Sequence, residues 1–307
     1  MKTRKRVFSL KNASALTVVV FVFLASCQKD SSILNSTDTE SVNAEAASSA
    51  YVSEGSDISA NAVDGISGTQ YSGGRMEVDT CKGLGDRDDR LKCAVVTIVR
   101  TGTITNPSGT ITITFDPTCS DARGVKRSGS IMISYSGPKW MPGSYFVISF
   151  DNFYRNDVHI EGIDSLKTQL SPDALHLQFV SKLTDGKITF GDGRYITRNH
   201  DLTREWIRDL IHPLNSEWLT LKGGVAYGQH KNGNTYQMEI TKTLVHKIIC
   251  LADKVFIPVS GTKVINVTTP TETKQYIIDY GDGHCDNDIT VTINGKVKTI
   301  TVNGEGG

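Results

Sequence analysis

The side chains that could do chemistry in this chain are few and scattered. The densest acidic cluster is Asp279, Asp282, Asp286 and Asp288. Carboxylates on a turn are the oxygen ligands that calcium takes. The EF-hand spacing is absent, however, and Asp282-Gly283 already reads as a hairpin signal. Calcium at these four residues is therefore the one cofactor the sequence offers, and a plain turn is the simpler reading. Asp86, Asp88 and Asp89 alternate with Arg87 and Arg90, which reads as a solvated, self-neutralising loop. The seven histidines (159, 176, 200, 212, 230, 246, 284) form no H-E-x-x-H, and no G-x-S-x-G or P-loop string occurs. No catalytic set is legible, and the expectation is a protein that is not an enzyme.

A ring-bearing segment is the other candidate. Trp140, Tyr145, Phe153 and Tyr154 crowd into fifteen residues, and exposed aromatic faces could stack on a glycan. The competing expectation is that these rings pack the core or seal strand edges.

Six cysteines are present. If Cys27 is set aside for the reason given below, five remain: Cys81, Cys93, Cys119, Cys250 and Cys285. Five is odd, so at least one has no partner within the chain. Cys81 and Cys93 bracket a short polar loop, and a bridge there would contribute about 3 kcal/mol in the chain-entropy view. Cys119, Cys250 and Cys285 each end a strand-like run, so any two could meet, and Cys250 with Cys285 is the favoured pair. Zinc is the rival reading, helped only by His246 near Cys250 and His284 near Cys285; no C-x-x-C spacing supports it.

The N-terminus says where the chain goes. Lys2, Arg4, Lys5, Arg6 and Lys11 precede the apolar run Ala13–Leu24. That run has 12 residues, too short for a bilayer core that needs about 20. Residues 1–26 thus read as a signal peptide. It ends Leu24-Ala25-Ser26-Cys27, which resembles a bacterial lipobox, in which the cysteine becomes the lipid-bearing first residue. Gln28, Lys29 and Asp30 resemble the export tag that carries lipoproteins of Bacteroidota to the outer face of the outer membrane; a periplasm-facing anchor is the alternative. Without residues 1–26 the chain has 28 basic and 33 acidic side chains, a net of −5. Residues 28–68 carry one Lys and seven acids, while 69–307 sum to +1. A neutral body offers no electrostatic reason to bind nucleic acid. The 27–69 stretch, with ten serines between 28 and 68, reads as a flexible acidic tether. Its span as a coil would be about 35 Å.

From about residue 70 to 307 the chain reads as one mainly β domain, an antiparallel meander of roughly a dozen strands with few or no helices. Ile111, Ile113 and Phe115 alternate with threonines, and the period of two returns at Ile131, Ile133 and Tyr135, at Leu175, Leu177 and Phe179, at Tyr236, Met238 and Ile240, and at Ile289, Val291 and Ile293. One apolar and one threonine face suit a half-solvated antiparallel sheet. Asp185-Gly186, Asp192-Gly193, Asn232-Gly233, Asp282-Gly283 and Asn294-Gly295 read as the intervening turns. The spacing of Trp206, Ile207, Leu210, Ile211 and Leu214 predicts a short helix over 203–214. Alternation alone does not choose between an open barrel, a sandwich and an extended sheet.

Several strings together carry a resemblance: Ile111–Cys119, Arg127-Ser128-Gly129-Ser130-Ile131, Ser149–Tyr154 with Glu161-Gly162, and above all Asp279-Tyr280-Gly281-Asp282-Gly283-x-Cys285-Asp286-Asn287. Over about 93–307 the chain resembles a family of surface or outer-membrane lipoproteins of Bacteroidota. The resemblance implies an all-β body and a lipid anchor, and no activity. The expected role is a membrane-anchored, surface-exposed binding, adhesion or structural module for a glycan or protein partner. A periplasm-facing carrier of an apolar ligand is the alternative, and an extracellular hydrolase the weaker one.

Overall fold

The computed structural model describes residues 36–66, 88–103 and 105–302. Fourteen strands follow one helix: β1 (Ala94–Arg100), β2 (Ser108–Phe115), β3 (Arg127–Ser136), β4 (Tyr145–Arg155), β5 (Val158–Leu170), β6 (Leu177–Thr189), β7 (Tyr195–Ile207), β8 (Glu217–Thr220), β9 (Val225–Gln229), β10 (Thr235–Lys247), β11 (Ser260–Thr268), β12 (Thr273–Asp282), β13 (Asp288–Ile293) and β14 (Lys296–Thr301). They form one antiparallel sheet in chain order. β8 and β9 share a lane, both lying between β7 and β10. β1 and β14 are the two edges, so the meander is open.

The alternation in the sequence becomes the two faces of this sheet. Ile98, Ile111, Ile113, Ile131 and Ile133 all point to one side and are buried, while Thr112, Met132 and Ser134 point to the other. The same inward face continues across the second half as Met238, Ile265, Tyr276 and Ile293, which are direct cross-strand neighbours. Fourteen strands bury one face only if the sheet curls over something.

That something is α1 (Ser36–Ile66). Over 36–66 the chain is therefore helical and packed, where a flexible tether was expected. The helix crosses the inward face from Val42, buried with Leu202 and the β10–β13 core, past Val52 on Leu183 and Ile188, to Ile58, Ala62 and Val63 in the β1–β5 core. Its buried side mixes these aliphatic residues with small ones (Ser48, Gly55, Ser59, Ala62), so the axis sits close to the strands. At Gly55 a methyl group would lie 2.6 Å from the Phe150 ring. Polar hooks hold it as well. Glu54 pairs with Arg127 and Arg155, and Arg127 also binds Asp121 at 2.9 Å. Asn61 donates to Asp88 at 2.8 Å.

Three further expectations change. The residues 203–214 form no helix: β7 runs to Ile207, and Pro213–Asn215 is a single 3-10 turn. Leu175 lies in a loop, 74% exposed, and β6 begins at Leu177. Asp185-Gly186 is a bulge inside β6, opposite β7, not a hairpin. A bulge and a tight turn make the same demand for positive φ, met here by Asp185 at 53°.

Candidate ligand-binding floor at the open end

The covering of the inward face stops before one end of the strands. Along β7 the inward side chains Ile196, Arg198, His200 and Leu202 are buried; the next two, Arg204 and Trp206, are exposed and half-buried. Along β10, Tyr236, Met238, Ile240 and Leu244 are buried and His246 is half-buried. Trp206, Trp218 and His246 are direct neighbours across β7, β8 and β10. Trp206 and Trp218 have ring centres 4.6 Å apart, Trp218 lies 5.5 Å from Phe179, and Trp140 meets Phe179 edge-on at 5.5 Å. Four rings thus make a continuous aromatic floor.

The charges around it are mostly positive. Arg204 is exposed and acts on the charge of Asp57. Lys263 is buried and lies over the Tyr280 ring. Burial, then Arg204 and Lys263, lower the pKa of His246 to about 4, so it is neutral at ordinary pH. Asp57 of α1 is in contact with solvent, yet its pKa is raised by the removal of water around it, against the pull of Arg204, Arg90 and Lys139. The floor and its surroundings therefore combine flat apolar rings, the exposed Arg204 guanidinium near Asp57 and a neutral imidazole, groups that can hold an anionic ligand with a flat apolar part.

A second polar group lies under α1. Asp164 of β5 accepts hydrogen bonds from Ser56 at 2.7 Å and Ser181 at 2.8 Å. Ser181 is also 2.8 Å from Nε2 of His200. The serine has one proton and gives it to Asp164, so Nε2 must donate to Ser181 and Nδ1 is left as a buried acceptor without a partner among the described residues. Burial, then Arg198 and Arg204, lower the pKa of His200 to about 3. Serine, histidine and aspartate are all present, but the carboxylate binds the serine, and the imidazole is 4.0 Å from the carboxylate. A nucleophilic serine needs the reverse order, with imidazole accepting its proton. This network ties helix to sheet.

The residues singled out from sequence are dispersed. Phe153 is fully buried between Phe115 and Phe150, which removes it from any glycan surface. Tyr145 and Tyr154 are exposed at opposite ends of β4, and Tyr154 stacks on His159. Trp140 alone of the four reaches the floor. Asp279, Asp282, Asp286 and Asp288 each serve a local partner: Gly281 N–H, His284, Asp288 N–H and the Thr301 hydroxyl. No group of three or more metal-capable side chains forms among the described residues. Cys250 and Cys285 are bridged, as expected, so neither thiolate is free for zinc. Cys93 is bridged to Cys119 and not to Cys81, because β1 and β2 pair with Ala94 opposite Phe115 and bring their ends together. Cys81 lies outside the described residues, as do Cys27 and the signal. The sequence reading missed Arg204, Trp206 and Trp218 as a site; the period-two run Ile196-x-Arg198-x-His200-x-Leu202-x-Arg204-x-Trp206 was the signal available.

Comparison of the chain with protein-family models, with curated proteins and with solved structures finds no match.

Proposed function

We propose that this is an outer-membrane lipoprotein, acylated at Cys27 and exposed at the cell surface, whose β-body is a non-enzymatic binding module. Its ligand is an anion with a flat apolar part, seated on the floor of Trp206, Trp218, Phe179 and Trp140 beside Arg204. The observation that carries this reading is that the inward side chains of β7 and β10 are buried up to the point where they become aromatic and cationic. An apolar cargo carrier would keep its concave face empty. Here α1 fills it, which favours the binding module over the carrier. The helix also shortens the leash. Only residues 28–35 separate Cys27 from α1.

Titration with aromatic carboxylates and acidic oligosaccharides, followed by tryptophan emission, tests the floor. Saturable quenching is expected in the unaltered chain. Arg204→Ala and Trp218→Ala should each weaken it about tenfold or more, the loss expected when a desolvated anchoring contact goes. Equal binding by both variants would refute the site. Mass spectrometry of the mature amino end tests the anchor, and protease shaving of intact cells tests the exposure.

A further inference from the structure

The loops beyond the open end carry exposed apolar side chains in a pattern no other part of the described residues shows. Met141 (56% exposed) tips the β3–β4 loop, Leu175 (74%) the β5–β6 loop, Ile211 (82%) the β7–β8 loop and Phe256 (51%) the β10–β11 loop. Leu210 and Leu214 stand beside Ile211 at 76% and 64%. These four loops leave the same end of the sheet, at successive positions around its rim.

The loops are held in shape. Asp209 accepts the Ile211 and His212 amides at 2.9 and 2.8 Å, turning its charge into the loop and its leucines and isoleucine outward. The Ile248 amide bonds to the Ser216 carbonyl, joining the β7–β8 and β10–β11 loops. Thr168 donates to the Lys139 carbonyl at 2.8 Å and fixes the β3–β4 loop on β5. Charges of both signs stand among the apolar tips: Lys139 over the Trp140 ring at 4.5 Å, with Arg208 and Lys254 exposed beside exposed Asp173 and Asp253.

The geometry points to a lipid surface as the partner of this rim. The apolar side chains are on separate protruding tips, which a fluid bilayer accepts. Tryptophan paired with lysine at the level of the tips is the composition of a membrane interface, and Arg208, Lys139 and Lys254 complement anionic headgroups. The inference uses the anchored reading only for proximity, since a body on a short leash meets the bilayer repeatedly.

The test removes that dependence. The mature chain from residue 27 with Cys27→Ser, which carries neither signal segment nor acyl group, is floated with vesicles of phosphatidylethanolamine and phosphatidylglycerol. Flotation of the unacylated chain is expected. Leu210→Ser, Ile211→Ser and Leu214→Ser together should reduce the bound fraction at least about tenfold, by loss of insertable apolar area, with the thermal midpoint unchanged. Lys139→Glu with Arg208→Glu should reduce binding to these vesicles and spare binding to neutral phosphatidylcholine. An unacylated chain that stays at the bottom, or a triple variant that floats equally, overturns the proposal. So does a rim variant whose only change is a lost dimer in sedimentation, which would make the rim an interface between copies. If the triple variant fails to fold, brominated acyl chains should quench the tryptophan emission of the Cys27→Ser chain, and no quenching overturns the proposal equally. A free amino end on the mature protein would sink the anchor and leave this assay standing.

Discussion

Each end of the sheet has six connections, and the two sets are built from different chemistry. From β4 onward, the end that holds Arg127 turns in two to five residues, using Asn156, Gly193, Gly233 and Asn294-Gly295. It carries the ion pairs that hold α1 to the strands. The opposite end uses mostly longer loops, tipped by Ile211, Leu175 and Phe256. Short polar turns are what folding requires, because register depends on them. Exposed apolar tips do nothing for the folded state and make it less soluble. One end therefore reads as the end that builds the molecule, and the other as the end that touches something.

That contrast can be broken by measurement. The largest effect is expected from Arg127→Ala. Arg127 is 5% exposed and faces Glu54 and Asp121, so its loss leaves Asp121 without its cation and Glu54 with Arg155 alone. The cost should be about 3–5 kcal/mol, read from urea unfolding; a value near zero would mean α1 is not held there. Acid should act next. The folded pKa values of His200 and His246 are lowered, so below pH 6.5 the unfolded chain binds protons that the folded one refuses. Stability should be full above about pH 7 and fall as pH drops from 6.5 toward 4, by on the order of a few kcal/mol. His200→Asn should flatten the profile, and an unchanged slope would disprove this origin.

A smaller loss is expected at the turns. Asn294 and Gly295 have φ of 51° and 75° in the two-residue connection between β13 and β14. Gly295→Ala should cost about 1 kcal/mol; a neutral result would remove the turn from the folding argument. The smallest effect is expected at the other end. Ile211→Ser should change stability by no more than about 0.5 kcal/mol, and a larger loss would show that the rim packs rather than projects.

The strands were legible because a half-buried pleat repeats every two residues, and no competing element does. Ile111, Ile113 and Phe115 needed no tertiary information to be placed on one face. Cys250–Cys285 was legible for a related reason, since both cysteines close strand runs. The misreadings have a common cause. Leu210, Ile211 and Leu214 mimic the stripe of a buried helix because they are apolar without being buried. The 36–66 segment mimics a tether because much of its packed side is serine, alanine and glycine, which bury well only against a surface that already fits them. Arg204, Trp206 and Trp218 were not legible as a site because they come from β7 and β8, across a loop whose path the spacing did not reveal.

Local chemistry by itself determined the mainly β body, its antiparallel pairing and most of its turns, since pleat alternation and positive-φ turn residues act over a few positions. Tertiary structure alone decided that a serine-rich segment becomes the helix inside the sheet, that Cys93 meets Cys119, and that the uncovered end is aromatic and cationic. Those outcomes depend on how far the sheet curls and how much of its inner face one helix can cover, and both are set by contacts between residues far apart in the chain.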